Sequence, residues 1–257
     1  MYFRKDKPGV KIYDTRKCMG EGAAADAAAC IGNLLAEREH VNIIFAAAPS
    51  QNEFLEALLH AGIEWDRVNA FHMDEYIGLP GDAPQGFGNY LRRTIFDRAP
   101  FRSVHYINGQ SAPEDACRQY SGLLMENPAD IVFMGIGENG HIAFNDPHVA
   151  DFSDTRIMKV VDLDEKCRMQ QVHDGCFSTI DEVPSFALTL TVPALMSAAR
   201  IFCIVPSGTK SAAVKSAVDG DICESCPASI LRTKPDATLY LDNDSSRLLQ
   251  IRSRKLS

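Results

Sequence analysis

Short apolar runs alternate with helical stretches along most of the chain. Runs at residues 41–48, 68–76, 131–134 and 200–206 have the length and composition of strands buried on both faces. Between the strands, the alanine-rich residues 20–40 predict a helix that packs closely on a sheet. The sequence shows no internal repeat and no Pro/Gly-rich linker. The pattern therefore predicts one three-layer α/β domain over residues 1–257, with a mainly parallel sheet.

Side chains suited to acid–base chemistry follow two of these runs. Asp74 and Glu75 end the second run, where buried acids are costly unless they are used or paired. His141 follows the third run, and Asp146 stands a few residues further on. Because parallel strands end at one edge of a sheet, Asp74 could act there as a general base and His141, held by Asp146, as a proton shuttle. The simpler alternative is that the acids cap a turn and the histidine is structural.

Two strand-to-helix junctions predict sites for an anion. Ser50 is followed by Glu53 at the spacing of a capping box, which would leave free N–H groups facing the loop. At the second junction, Ser207 and Gly208 precede a helix start, and Lys210 adds a cation there.

Two further stretches carry expectations about the surface. Residues 149–183 are polar and mixed, which is typical of a lid or an insertion. Four side chains in this stretch could reach a ligand: Arg156, Arg168, Gln170 and Gln171. Residues 245–257 form a basic tail that we expect to be solvated.

Composition limits the class of function. Hydrophobic residues make up 46% of the chain and charged residues 23%, as in a globular protein with a substantial core. Acids outnumber bases 34 to 26 and the bases are scattered, so binding to nucleic acid or to a membrane is not expected. The eight cysteines are irregularly spaced, as in reduced proteins, and no apolar run approaches the ~20 residues of a membrane span, so we expect a cytoplasmic protein. Cys223 and Cys226 form one CxxC but lack a second pair, so no metal site is predicted.

Four segments resemble the glucosamine-6-phosphate deaminase/isomerase family in order and spacing. They are Met-Asp-Glu-Tyr-Ile-Gly-Leu-Pro at 73–80, Cys-Arg-Gln-Tyr at 117–120, Gly-Ile-Gly-Glu-Asn-Gly-His-Ile-Ala-Phe-Asn at 135–145 and Ser-Gly-Thr-Lys at 207–210. The resemblance covers nearly the whole chain. It implies a modified Rossmann-like fold, and it implies ring opening, aldose-to-ketose isomerisation and loss of ammonia from an amino-sugar phosphate. It implies no cofactor, since the substrate's own carbonyl or imine acidifies C2.

The resemblance also implies roles for the acid–base residues. Asp74 would move the proton between C2 and C1, and His141 would carry the proton that opens the sugar ring. Asp146, where the family has Glu, would orient the imidazole. Asn139 stands where some members have Asp, and a neutral amide gives less support to an imidazolium.

The resemblance further implies a phosphate site around Lys210. The family's Gly-Gly-Thr phosphate loop is replaced by Ala-Pro-Ser-Gln at residues 48–51, and Arg168 is the candidate for the family's phosphate-binding arginine. The expected substrate contacts are Ala48, Ser50, Gln51, Glu75, Gly137, Arg168, Ser207, Gly208 and Lys210.

Three functions remain open from the sequence. The first is a hexosamine-phosphate isomerase/deaminase. The second is a 6-phosphogluconolactonase-type hydrolase, although residues 73–76 and 144–147 match the deaminase pattern better. The third is a sugar-phosphate sensor without turnover, which the altered loop at Pro49 would fit. In each case the partner is a small sugar phosphate, and both a monomer and a homo-oligomer are compatible with the sequence.

Overall fold

The computed structural model describes residues 1–4, 6 and 8–250, which contain eleven strands and seven α-helices. The strands are β1 (Tyr2–Arg4), β2 (Gly9–Tyr13), β3 (Val41–Phe45), β4 (Val68–His72), β5 (Asp74–Tyr76), β6 (Ser103–His105), β7 (Ile131–Met134), β8 (Met158–Asp162), β9 (Phe186–Leu190), β10 (Arg200–Val205) and β11 (Ala237–Asp242). The helices are α1 (Arg16–Glu37), α2 (Asn52–Leu59), α3 (Phe87–Leu91), α4 (Pro113–Glu126), α5 (Glu165–His173), α6 (Val192–Met196) and α7 (Ser211–Asp219). None of these helices is long and apolar enough to cross a membrane.

Eight of the described strands form the main sheet, in the order β1-β2-β11-β10-β7-β3-β4-β6. Neighbours are parallel except the edge pair β1 and β2. After β3, strands β4 and β6 are added on one side of it, toward that edge of the sheet. The chain then returns, so that β7 pairs with the other side of β3 and β10 is added next to β7. The strand order therefore reverses between β3 and β7, the position at which open α/β sheets bind ligands. The predicted mainly parallel sheet is confirmed.

Apolar side chains fill both faces of this sheet, because successive residues of a strand point to opposite sides. Ile43 and Phe45 of β3 pack in the core beneath α1 and α2, whereas Ile44 packs in the opposite core. That second core includes Tyr120 of α4 and Val214 of α7. The sheet is thus covered on both faces, which confirms the three-layer α/β prediction.

The apolar run at residues 68–76 is not one strand, contrary to the sequence prediction. The chain leaves the main sheet after His72, and β5 pairs antiparallel with β9, which also pairs with β8 in a three-stranded sheet. The fully buried His72 fixes the break: its Nδ1 donates to the Asp74 carbonyl at 2.9 Å, and its Nε2 accepts the Ile107 N–H at 2.9 Å. Burial lowers the pKa of His72 to about 4, so its ring is neutral at physiological pH.

The capping box expected at Ser50 does not form. The chain makes a 3₁₀ turn over Pro49–Gln51, and α2 begins without a side-chain cap. Glu53 instead accepts a hydrogen bond from Nε of Arg16 at 2.6 Å. The local spacing was right for a cap, but a charged partner on α1 competes for the glutamate.

The expectation of a solvated tail is wrong for its first residues. Ser245 and Ser246 are fully buried, and both hydroxyls donate to the carbonyl of Asp242 at the end of β11. Leu249 is also buried, and residues 251–257 lie outside the described residues.

The close packing of α1 on α2 gives a first testable prediction. A Cβ on Gly20 would lie 2.8 Å from backbone atoms of α2, whereas one on Gly32 of the same helix would meet nothing within 4 Å. Gly20→Ala should therefore lower the free energy of unfolding by ~1–3 kcal/mol, because the helices must separate. Gly32→Ala should raise it by ~0.5–1 kcal/mol, because alanine loses less backbone entropy. Urea unfolding of both variants measures this, and stabilisation by both would contradict the close packing.

Candidate active site

A cavity lies at the carboxyl ends of four neighbouring strands, β10, β7, β3 and β4. Its lining residues are Ala46, Ala47, Ala48, Ser50, Met73, Asp74, Phe87, Gly135, Ile136, Gly137, His141, Ala143, Phe144, Gln170, Gln171 and Lys210. The carboxyl, imidazole and ammonium groups expected from the sequence thus share one cavity. Its volume is about 60 Å³, below the ~300 Å³ at the small end of ligand pockets.

Asp74 is a buried carboxyl group in this cavity, with 6% of its surface exposed. It is held by β5, where it pairs with Thr189 of β9. Burial, and then the charge of the adjacent Glu75, raises the pKa of Asp74 well above its usual value, although the Phe144 N–H acts in the opposite direction. A carboxyl whose pKa is raised toward neutrality is suited to take a proton from carbon.

The His141 imidazole lies between a glycine and a carboxylate. A Cβ on Gly137 would come 2.1 Å from Cε1 of the ring, so the ring rests directly on the glycine backbone. On its other side, Nδ1 is 3.0 Å from Oδ1 of Asp146, although the ring N–H is not aligned with that oxygen. Asp146 is fully buried; burial raises its pKa, but His141 and hydrogen bonds from Asn139 and from the Asp164 N–H outweigh it, so the pKa lies below its usual value. The carboxylate is therefore charged and can stabilise a protonated ring.

Lys210 brings a buried cation to the cavity, with 4% of its surface exposed. In the described part of the chain its Nζ has no hydrogen-bond partner, and its ion-pair contact, Oε1 of Glu138, is 3.9 Å away. Burial lowers the pKa of Lys210, against the opposing effect of Asp174 and Glu138. An ammonium that is desolvated and poorly paired favours binding of an anion.

Two of the expected substrate contacts hold backbone groups instead of lining the cavity. The Glu75 carboxylate accepts the backbone N–H groups of residues 76, 87 and 88, and so fixes the start of α3. The Arg168 guanidinium donates to the carbonyls of residues 180 and 183. The expectation that Arg168 binds phosphate is therefore wrong. Its guanidinium instead holds the segment that follows α5 in place.

Three other expected contacts stand beside the cavity and support its loops. Gln51 donates to Oγ of Ser50 and to a carbonyl of β10, each at 3.1 Å. The Ser207 N–H donates to a carboxylate at the end of β11, and its φ of +85° is rare for a residue with a side chain. The carbonyl of Gly208 accepts the hydroxyl of Ser211, the first residue of α7. These bonds fix the loops that carry the cavity's polar side chains.

The sequence did not reveal how closely α5 joins the site. Gln170 and Gln171 line the cavity, where the sequence indicated side chains able to reach a ligand. Asn139 does not line the cavity, and its side-chain amide donates to Asp146 and to Asp164. The position of Asp164 just before a helix is a readable N-cap signal, but its contact with Asn139 depends on tertiary structure.

Together these features define a Rossmann-like α/β protein with acid–base residues and a buried cation at the carboxyl edge of its sheet. The model of the family described as glucosamine-6-phosphate isomerases/6-phosphogluconolactonase matches residues 14–240. The chain belongs to this family.

Proteins named glucosamine-6-phosphate deaminase are similar in sequence to most of this chain. A glucosamine-6-phosphate deaminase of Listeria innocua is 33% identical over 211 residues, which cover 81% of this chain and 88% of that protein. One of Bacillus cereus is 33% identical over 187 residues, or 72% of this chain and 70% of that protein. Among solved structures, a monomeric glucosamine-6-phosphate deaminase superposes with a TM-score of 0.84 at 28% identity, covering 93% of this chain and 99% of its own. The 6-phosphogluconolactonase of Trypanosoma cruzi, at 17% identity and a TM-score of 0.77 over 96% of this chain and 98% of its own, shares the fold.

The raised pKa of Asp74 predicts a gain in stability when the carboxyl group is removed. The folded protein holds this proton more tightly than the unfolded chain, so stability falls as pH rises from the unfolded value near 3.8 through the folded value. Asp74→Asn cannot ionise and escapes this loss. We expect its Tm to exceed that of the wild type at pH 8 and to differ little at pH 4, with each ~1 kcal/mol of stability shifting Tm by ~2–4 °C in a domain of this size. Thermal unfolding at both pH values measures this, and an equal difference at both would exclude the buried charge as the cause.

Proposed function

We propose that the protein converts glucosamine 6-phosphate, or a closely related hexosamine phosphate, and water to fructose 6-phosphate and ammonia. The observation that carries the proposal is the meeting of Asp74, His141 and Lys210 in one cavity at the strand-order reversal. The similarity to proteins named glucosamine-6-phosphate deaminase over most of the chain supports the choice of an amino sugar.

The first chemical step is opening of the sugar ring. His141 carries a proton from the C1 hydroxyl to the ring oxygen, so that the bond between C1 and that oxygen breaks and an aldehyde remains. Asp146 supports this transfer, since its buried carboxylate lies 3.0 Å from Nδ1 of the ring. The apo contact between Nδ1 and Asp146 is poorly aligned, and such contacts commonly tighten when substrate binds.

The second step moves a proton between carbon atoms. Asp74 takes the proton from C2, which the neighbouring carbonyl has acidified, and returns it to C1. A proton from the C2 nitrogen passes to the C1 oxygen in the same isomerisation, which leaves a hydroxyl at C1 and an imine at C2. Water then replaces the imine nitrogen, and ammonia leaves with the ketose as the other product. A cationic amine on C2 would also lower the pKa of Asp74 on binding, because an opposite charge favours the carboxylate. The substrate thus prepares its own base, and the chemistry needs no cofactor.

Lys210 binds the phosphate group at the far end of the substrate. The phosphate supplies the ion-pair partner that the buried ammonium lacks. Arg168 takes no part, because its guanidinium is bound to backbone carbonyls.

Helix α5, within residues 149–183, acts as the lid in this proposal, in a single domain of residues 1–257, whereas β8 of the same stretch stays paired with β9. Helix α5 of this segment supplies Gln170 and Gln171 to the wall of a cavity of 60 Å³. Displacing α5 would widen the cavity toward ordinary ligand size. The cytoplasmic location remains a prediction; all eight cysteines, which lie in the described part of the chain, are free.

Hydrolysis of 6-phosphogluconolactone is the second reaction to consider within this family. It requires His141 to activate water but requires no base at C2. A buried carboxyl group with a raised pKa is suited to proton transfer from carbon, so Asp74 favours the deaminase reaction.

A turnover panel tests the proposed reaction. The wild type should release ammonia and a ketose phosphate from glucosamine 6-phosphate or galactosamine 6-phosphate, and should hydrolyse 6-phosphogluconolactone far more slowly. Rapid lactone hydrolysis without ammonia release would support the hydrolase instead. Sugar-phosphate binding by calorimetry without any turnover would support the sensor.

The role of Lys210 gives a separate prediction about anion binding. Inorganic phosphate at 100 times its Kd should stabilise the wild type by ~2.7 kcal/mol, because it binds the folded state alone. Lys210→Met should lose this stabilisation and should raise KM for the sugar phosphate at least tenfold. Lys215→Met changes an exposed lysine on α7, the helix that follows Lys210; it is the matched control and should behave as the wild type. Unchanged stabilisation of Lys210→Met by phosphate would place the anion elsewhere.

A further inference from the structure

The start of α5 is bonded to the carboxylate that supports His141. The N–H of Asp164 donates to Oδ2 of Asp146 at 3.2 Å. The side-chain amide of Asn139 donates to Oδ1 of Asp146 at 2.9 Å and to Oδ2 of Asp164 at 3.1 Å. One amide group therefore joins two carboxylates, that of Asp146 in the loop after β7 and that of Asp164 at the N-terminus of α5.

All the polar atoms of the Asn139 side chain are engaged in this arrangement. Its amide nitrogen donates one hydrogen to each of the two carboxylates, and its Oδ1 accepts the backbone N–H of His141 at 3.1 Å. An aspartate at 139 would place a third carboxylate against Asp146 and Asp164 with no hydrogen between them. The neutral residue at 139 and the acid at 164 are thus complementary, and the charge that Asn139 lacks is supplied from α5.

Asp164 is also the N-cap of α5. Its Oδ1 accepts the N–H of Cys167 at 2.6 Å, while its Oδ2 accepts the Asn139 amide. One helical face continues this contact, because Gln170 accepts the N–H of Glu138 at 2.8 Å, two steps of three residues beyond Asp164. The helix is therefore seated along the loop that precedes His141.

We propose that Asp164 is a positioning residue for the acid–base pair, an inference that rests on the function proposed above. With α5 seated, Asp164 fixes Asn139 and Asp146, and through them the imidazole of His141. The cavity of 60 Å³ is smaller than a hexose phosphate, and α5 supplies Gln170 and Gln171 to its wall. In this proposal α5 leaves its seat when substrate enters, and these bonds then break. The acid–base pair is complete only after α5 returns, so proton transfer is coupled to closure.

The test compares variants of neighbouring acids. Asp164→Ser keeps an N-cap hydroxyl but removes the carboxylate that holds Asn139. We expect kcat to fall about tenfold, as is common when a residue that orients a functional side chain is removed. KM should change less than twofold, because Asp164 does not line the cavity. Glu165→Gln removes an exposed charge from the same helical turn and should leave both constants unchanged.

A double-mutant cycle separates positioning from simple support of the helix. In an Asn139→Ala background, Asp164→Ser should lower kcat less than twofold further, because its route to the imidazole is already gone. A tenfold loss in both backgrounds would mean that Asp164 acts without Asn139, and wild-type kcat in the single variant would mean that it does not act; either result overturns the proposal.

A readout without turnover keeps this inference distinct from the proposed function. Ammonia release by the wild type tests the function alone. Whatever that result, the ring ¹⁵N signals of His141 should move in Asp164→Ser and stay in place in Glu165→Gln. Unchanged signals of His141 in Asp164→Ser would overturn the positioning role even if the wild type has no activity.

Discussion

The structure depends on burying two ionisable groups of opposite sign in one cavity. Burial raises the pKa of Asp74 and lowers that of Lys210, so in the empty cavity each group is shifted toward its neutral form. A ligand with an ammonium at one end and a phosphate at the other would restore both charges. An amino-sugar phosphate has these two charges. The energetic cost of the empty site is therefore also its means of selecting a ligand.

The fold holds these groups in place through the order of its strands. The loops after β10, β7, β3 and β4 are neighbours because the chain reverses its direction of building between β3 and β7. The position of Asp74 also depends on a break in the chain after β4, since without that break Asp74 would continue β4 in the main sheet. The neutral His72 ring bonds to the Asp74 carbonyl and turns the chain into the second sheet, where Thr189 is the partner of Asp74.

Much of the fold and of the site could be predicted from sequence, since buried parallel strands leave continuous apolar runs and their ends carry the functional residues. Asp74, His141 and Lys210 were predictable for this reason. The second sheet was not, because residues 68–76 keep one apolar pattern while their partner changes. Arg168 and Asp164 were misjudged or missed because their partners are backbone and side-chain groups brought near only by folding. The residue type and its spacing indicate which interactions a side chain is able to make. The tertiary structure determines which of these interactions it makes.

Deuterium exchange at C2 of the sugar tests the central claim most directly. In D₂O the wild type should place solvent deuterium at C2 of unreacted glucosamine 6-phosphate or at C1 of the ketose product, because a buried carboxyl moves the proton between those carbons. Asp74→Asn should leave the sugar carbons unlabelled while still binding phosphate. Labelling by Asp74→Asn at the wild-type rate would contradict the account, because the base would then be another group.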